Sequence, residues 1–386
     1  MAEKILLLTG SGFSIRFLKN ENNKELSTPF LTKLLTDREQ FEKYLELLLK
    51  DLYNKEEERL RFIQIQKKCK EVFELLKLEK NSIEFNFEHI FFALECICDL
   101  STKHTNILPQ NIEGSIKKAV LSSSIKFEYK ELNALYSFLI DVVCLFERED
   151  RKVKKFQSTN LECITKFKKV LDTQETKHFT LNYDTCFYDS KLTFLYSNKT
   201  HELVEGNYQN IKNYHLHGSV LNYREGDIER CATPDDAKDQ RLIKFDFKTQ
   251  RNDFKSYFSY EYSNLDNGYL FPIITGLSKS IKLLNSSYDW LYQQFILSAY
   301  EATHLIIIGY SFNDTHINSV LSCAIENEKL KKIDVVYYKS VGVDFETIAK
   351  SKIKRSDKIQ HEEEVINKFT FHRDGVEEFI SNFKLD

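Results

Sequence analysis

The amino-acid sequence predicts an α/β protein: an open, mostly parallel β-sheet with helices on both faces, interrupted by a largely helical insertion. Three observations carry this expectation. A short apolar run, KILLLT at 4–9, ends in glycine, the pattern of a parallel strand buried on both faces. Strand and helix signals alternate from about residue 178 onward. Between the two lies a block of helical periodicity.

The helical block spans 38–158. Phe41, Tyr44, Leu45, Leu48 and Leu52 recur at helical spacing, as do Cys69, Val72, Phe73 and Leu76. Two more stripes follow, one through Phe87, Ile90, Phe91, Leu94 and Ile97, the other through Leu132, Leu135, Tyr136, Leu139 and Val143. The strand candidates beyond are 178–181, 193–197, 213–217, 270–275, 304–308 and 333–338. A helix is clearest at 284–300, where Leu284, Tyr288, Leu291, Phe295 and Ala299 share a face. Residues 222–256 are charged and poorly periodic and read as a long surface excursion. The expected organisation is a sheet domain built from 1–37 and 159–386, with 38–158 inserted after its first strand–helix unit.

Composition narrows the function. A chain of 386 residues with 42% hydrophobic content can bury a large core. The formal net charge of −3 gives no global excess to hold a duplex by its phosphates, so only a local patch could serve nucleic acid. The eight cysteines form no Cys-x-x-Cys pair, which argues against a zinc module, and no metal-ligand set is expected. The apolar run at 5–9 is too short for a signal sequence or a membrane span, so reduced thiols in a cytoplasm are expected.

Four segments at predicted strand ends carry chemistry. Thr9-Gly10-Ser11-Gly12-Phe13-Ser14 would let backbone approach a phosphate, although Ile15 stands where a full dinucleotide fingerprint has its third glycine. The same pattern suits a turn that needs glycine for its own sake. Leu181-Asn182-Tyr183-Asp184 sets an amide and a carboxylate at the sheet edge, for chemistry or as an Asx turn and helix cap. His215-Leu216-His217-Gly218 places His217 nearest the strand end, with His215 read as satisfied by backbone. Ile308-Gly309-Tyr310-Ser311-Phe312-Asn313-Asp314-Thr315-His316 follows the strongest strand, with Asn313 or Asp314 suited to cap the next helix and His316 to its surface. Asn86 and Glu88 read as the cap and acidic first turn of a helix.

These four segments, in this order, resemble the sirtuin-like domain of bacterial anti-phage defence proteins, a Rossmann-like NAD-binding fold. Phe271-Pro272-Ile273-Ile274 and the helix with Trp290 are similar too. The likeness covers about the first 35 residues and roughly 160–340. It implies that Gly10, Ser11, Gly12 and Phe13, with Ser14, hold the NAD pyrophosphate. Asn182 and Asp184 would face the nicotinamide ribose beside Tyr183, and His217 would be the catalytic histidine. Gly309, Tyr310, Ser311 and Asn313 would lie along the adenosine. NAD+ is then substrate rather than cofactor, cleaved to nicotinamide and ADP-ribose to abort infection. Deacetylase sirtuins carry a zinc module and a Gly-Ile-Pro-Asp-Phe-Arg run; here the chain reads Ile15-Arg16-Phe17-Leu18, which disfavours deacylation. Relatives of this length resemble the subunit that assembles with a HerA-type ATPase, which implies that partner and a homo-oligomer. Two other readings stand beside this one. A DNA-acting nuclease would need clustered carboxylates for magnesium, and a binding module would hold NAD or ADP-ribose without turnover.

Overall fold

The computed structural model describes residues 3–14, 26–49, 55–78, 85–101, 123–152, 159–172, 174–183, 194–197, 202–206, 213–218, 222–225, 241–244, 289–338, 344–353 and 367–384, together with 116, 120, 121, 274 and 279. Six strands form one parallel sheet: β1 (Lys4–Thr9), β2 (Glu175–Thr180), β5 (Asn213–His215), β8 (His304–Ile308), β9 (Lys332–Val336) and β10 (Phe369–His372). Their order is β10-β9-β8-β1-β2-β5. The chain lays down β1, β2 and β5 to one side, then returns to the other side of β1 for β8, β9 and β10. This doubly wound order, with β1 and β8 adjacent at the reversal, is the Rossmann-like arrangement expected from sequence.

Alternation along the strands builds two cores. Leu6 and Leu8 of β1, with Leu305 and Ile307 of β8, face α8 (Asp289–Glu301), α9 (Thr315–Ile325) and α10 (Phe345–Ile353). Ile5 and Leu7, with Ile306 and Ile308, face α7 (Thr159–Asp172) and α11 (Val376–Asn382). Both faces of the sheet are therefore covered, which is why β1 and β8 carry unbroken apolar runs.

A third core lies among α2 (Thr28–Thr36), α3 (Arg38–Leu49), α4 (Lys55–Leu78), α5 (Phe87–Ser101) and α6 (Tyr129–Lys152). All four helical stripes read from sequence contribute to it. Helix α2 precedes residue 38 yet sends Phe30, Leu31, Leu34 and Leu35 into the same core. Among the described residues, no helix is long and apolar enough to cross a membrane.

Two expectations are corrected. The strand expected at 193–197 does not join the parallel sheet. It is β3 (Phe194–Ser197), in an antiparallel sheet ordered β4-β3-β7-β6 with β4 (Glu202–Gly206), β6 (Asn222–Glu225) and β7 (Arg241–Lys244). The segment 222–256 thus supplies two strands, which at four residues each are too short to show a period. Of the strand expected at 270–275, Ile274 is described; it is buried and outside any strand. Residues 284–288 of the expected helix lie outside the described residues.

On the α7/α11 face, Asp334 of β9 is buried between two imidazoles. His304 Nε2 donates to its Oδ2 at 2.7 Å and His372 Nε2 to its Oδ1 at 2.7 Å. Because a carboxylate only accepts, both rings carry their proton on Nε2. Burial alone would raise the Asp334 pKa, but the two imidazole bonds outweigh it and hold the carboxyl below its usual range. A depressed pKa contributes stability that is whole above the unfolded value, about pH 4, and is lost as pH falls below it. Asp334→Ala is expected to cost about 2–4 kcal/mol at pH 7, since two donors lose their acceptor. Urea denaturation from pH 7 to pH 3 should show wild type losing stability more steeply than Asp334→Asn; parallel profiles would contradict the assignment.

Candidate functional site

The C-terminal ends of β1 and β8 meet at the switch point, where open α/β sheets take their ligands. The turn after β1 leads into a short helix, α1 (Ser11–Ser14). Gly10 N–H donates to the Ile308 carbonyl at 2.9 Å and Gly12 N–H to the Gly309 carbonyl at 3.0 Å. The two turns touch backbone to backbone. A Cβ on Gly10 would lie 2.6 Å from the Gly309 oxygen, and one on Gly12 would lie 2.8 Å from the Gly309 Cα. Gly309 itself has φ +64. These glycines thus have a first task within the protein, seating one strand-end turn on the other. Ser11 is exposed on top, whereas the Phe13 ring is buried in the core below.

Asn182, just past the end of β2, is buried and tied to that turn. Its Nδ2 donates to the Gly10 carbonyl at 2.9 Å and to Ser14 Oγ at 2.7 Å. Both amide hydrogens are spent, so toward a ligand Asn182 can act only through Oδ1, as an acceptor. His215 meets the Asn182 carbonyl through Nδ1 at 3.1 Å, the backbone role read from sequence. Tyr183 donates to the Ile274 carbonyl at 3.0 Å and packs against the helical core. Asp184 lies outside the described residues.

His217 falls two residues beyond the end of β5, in a turn closed by Gly218 at φ 86. Its imidazole is buried, two residues beyond the His215 ring that meets the Asn182 carbonyl. Its Nε2 lies 3.2 Å from His316 Nε2. Burial holds the His217 pKa well below the ordinary value, aided by the Lys279 ammonium and opposed by Asp314. Burial likewise lowers His316, to about 4, against the attraction of Asp314. Both rings are therefore neutral near pH 7, and one Nε2 donates to the other.

Asp314 and Lys279 complete the cluster. Lys279 Nζ donates to Asp314 Oδ1 at 2.8 Å and to Glu88 Oε1 at 2.7 Å. Burial would lower the Lys279 pKa and raise that of Asp314. Their mutual charge reverses both shifts, leaving the lysine above and the aspartate well below its ordinary value. Asp314 occupies the N-cap position of α9, yet its side chain makes no cap hydrogen bond. It forgoes a contact ordinarily worth about 1 kcal/mol and turns to the lysine instead. The loop that aims it contains Phe312 at φ 58, a strained conformation for a bulky residue. Tyr310 braces the loop, its hydroxyl 2.9 Å from Asn318 Oδ1 and 3.1 Å from the Asp314 carbonyl.

The structure therefore gathers two adjoining sets. Gly10, Gly12, Ser14, Asn182 and Gly309 form one; His217, Asp314 and His316 form the other, joined to the first through the His215–Asn182 contact. Ser11, Ser311 and Asn313 are exposed on the two turns. Phe13 and Tyr310 are committed to core packing and loop bracing. Sequence reasoning missed Lys279 entirely and took Glu88 and Asp314 for helix-end residues. The usable signal was Asp314-x-His316 directly after β8, which puts a second imidazole at the same sheet edge as His217. No family model matches this chain, and no curated protein matches it.

Proposed function

We propose that the chain is an NAD+ glycohydrolase, releasing nicotinamide and ADP-ribose as an effector of abortive anti-phage defence. The observation that carries the reading is the switch-point junction, where Asn182 is locked onto the Gly10 turn and its carbonyl meets His215, two residues before His217. A nucleotide laid across that crevice would have its diphosphate by the exposed Ser11 and its nicotinamide ribose by Asn182. The adenosine would run along Gly309, Ser311 and Asn313.

The chemistry follows from the donors and acceptors left over. Nicotinamide departs from a cationic pyridinium as a neutral base, so no general acid is required. The ribose becomes oxocarbenium-like, and hydrogen bonds to its hydroxyls strengthen as charge builds. Asn182 Oδ1 accepts from a ribose hydroxyl or from the attacking water. His217 is a weak base in its buried setting and takes the water's proton only as it is shed. The neighbouring Asp314 carboxylate favours the imidazolium that results. Toward this chain, the resemblance to defence proteins supports a HerA-type ATPase as partner, self-association and a cytoplasmic setting.

The test is nicotinamide release by the purified chain, alone and with that ATPase. His217→Ala and Asn182→Ala are expected to lower the rate about 10²–10⁴-fold, the range for a lost acid–base or positioning group. Because Asn182 also holds the Gly10 turn, its variant needs a thermal-denaturation control. Release by folded His217→Ala at the wild-type rate would discard the mechanism.

A further inference from the structure

We propose that His217, His316 and Asp314 form a binding site for a divalent transition-metal cation of the zinc class. One ligand atom from each residue lies within 4.8 Å of the other two. The Nε2 atoms of His217 and His316 are 3.2 Å apart. Two nitrogens bound to one tetrahedral zinc at about 2.0–2.1 Å are separated by about 3.3 Å, so these rings already stand at ligand spacing. A carboxylate oxygen supplies the third ligand after a small rotation of Asp314. Lys279 occupies Oδ1 alone, leaving Oδ2 for the cation.

Three further features fit a metal better than a bare imidazole pair. Asp314 is oriented from behind by Lys279, the kind of outer contact metal ligands commonly have. Glu88 and Asp314 bring two negative charges to the single ammonium of Lys279, so the cluster carries one negative charge before any cation is added. Asp314 gives up its cap bond to point here. Two imidazoles and one carboxylate select zinc, cobalt or iron over magnesium, which prefers oxygen ligands throughout. His217 is buried while Asp314 and His316 are half-buried, so a fourth position would open toward the crevice for a water or a substrate oxygen.

The proposal does not depend on NAD+ cleavage and has its own readout. Chelator-treated full-length protein is titrated with zinc by calorimetry and with cobalt by visible absorption. One equivalent should bind, with affinity falling at least about 100-fold in His316→Ala and in Asp314→Asn. Thermal denaturation of each apo variant checks folding, and either folded variant suffices. Absence of binding to wild type, or equal binding by a folded variant, overturns the site. Nicotinamide release separates the two readings. Metal binding with no release under any partner condition sinks NAD+ cleavage and leaves this site standing; undiminished release from metal-free protein that binds no zinc does the reverse.

Discussion

Gly309→Ala is expected to destabilise the protein by about 4 kcal/mol and to abolish any activity that needs the switch-point crevice. The added Cβ would lie 2.4 Å from the Phe13 nitrogen and 2.5 Å from the Gly12 carbonyl carbon. Both are backbone atoms, so no side chain can swing aside. The residue also sits at φ +64, where an L side chain is strained. The turns after β1 and β8 would have to separate, breaking the Gly12–Gly309 hydrogen bond and exposing the buried Asn182 anchor. Urea unfolding followed by circular dichroism measures the loss. A midpoint within error of wild type would show that the two turns are not held together in solution.

Lys279→Met should cost about 3–5 kcal/mol, because it strands Glu88 and Asp314 beside each other without a counter-charge. The effect reaches across the molecule. Glu88 belongs to the first turn of α5 in the helical core, and Asp314 to the strand-end loop of the sheet. One ammonium therefore fastens the helical insertion to the candidate site. A double-mutant cycle of Lys279→Met with Glu88→Gln should return a coupling of about 1–3 kcal/mol. Additive losses would mean that the two parts of the chain meet there without exchanging energy. If the coupling holds, whatever engages the helices can alter the loop that aims Asp314 and His316.

Much of the sheet was legible in the sequence because burial on both faces writes itself as an apolar run. KILLLT and HLIII were placed to the residue as β1 and β8. Short strands with one polar face say less, and TFLYS looked like a further parallel strand because its composition is silent about its neighbours. The strand ends were legible through their glycines, though the reason differs from the one the pattern suggests. Gly10, Gly12 and Gly309 first serve one another, and whatever a phosphate gains from them comes after. Asn182 stood out through its position, and its locked amide did not, since Gly10 and Ser14 are remote in sequence. The Lys279 bridge was invisible for a similar reason: Glu88 has an adequate local explanation at its helix start, and nothing near it names a lysine 191 positions on. Asp314 misled most directly. A helix-cap residue in the cap position is the cheapest inference, and here the side chain declines that bond.

The place of β1 in the sheet has a consequence for biosynthesis. Ile5 pairs with Thr176 on one side and with His304, made far later, on the other. At about 5–20 residues per second the ribosome leaves this strand without its second neighbour for roughly 15–60 s. Such late, distant pairings slow folding, and the waiting strand is a sticky edge that a nascent chain must shield. The same wait acts as a safeguard: a polypeptide released before β8 has no Gly309 to seat its first turn, so interrupted translation yields a fragment without the crevice.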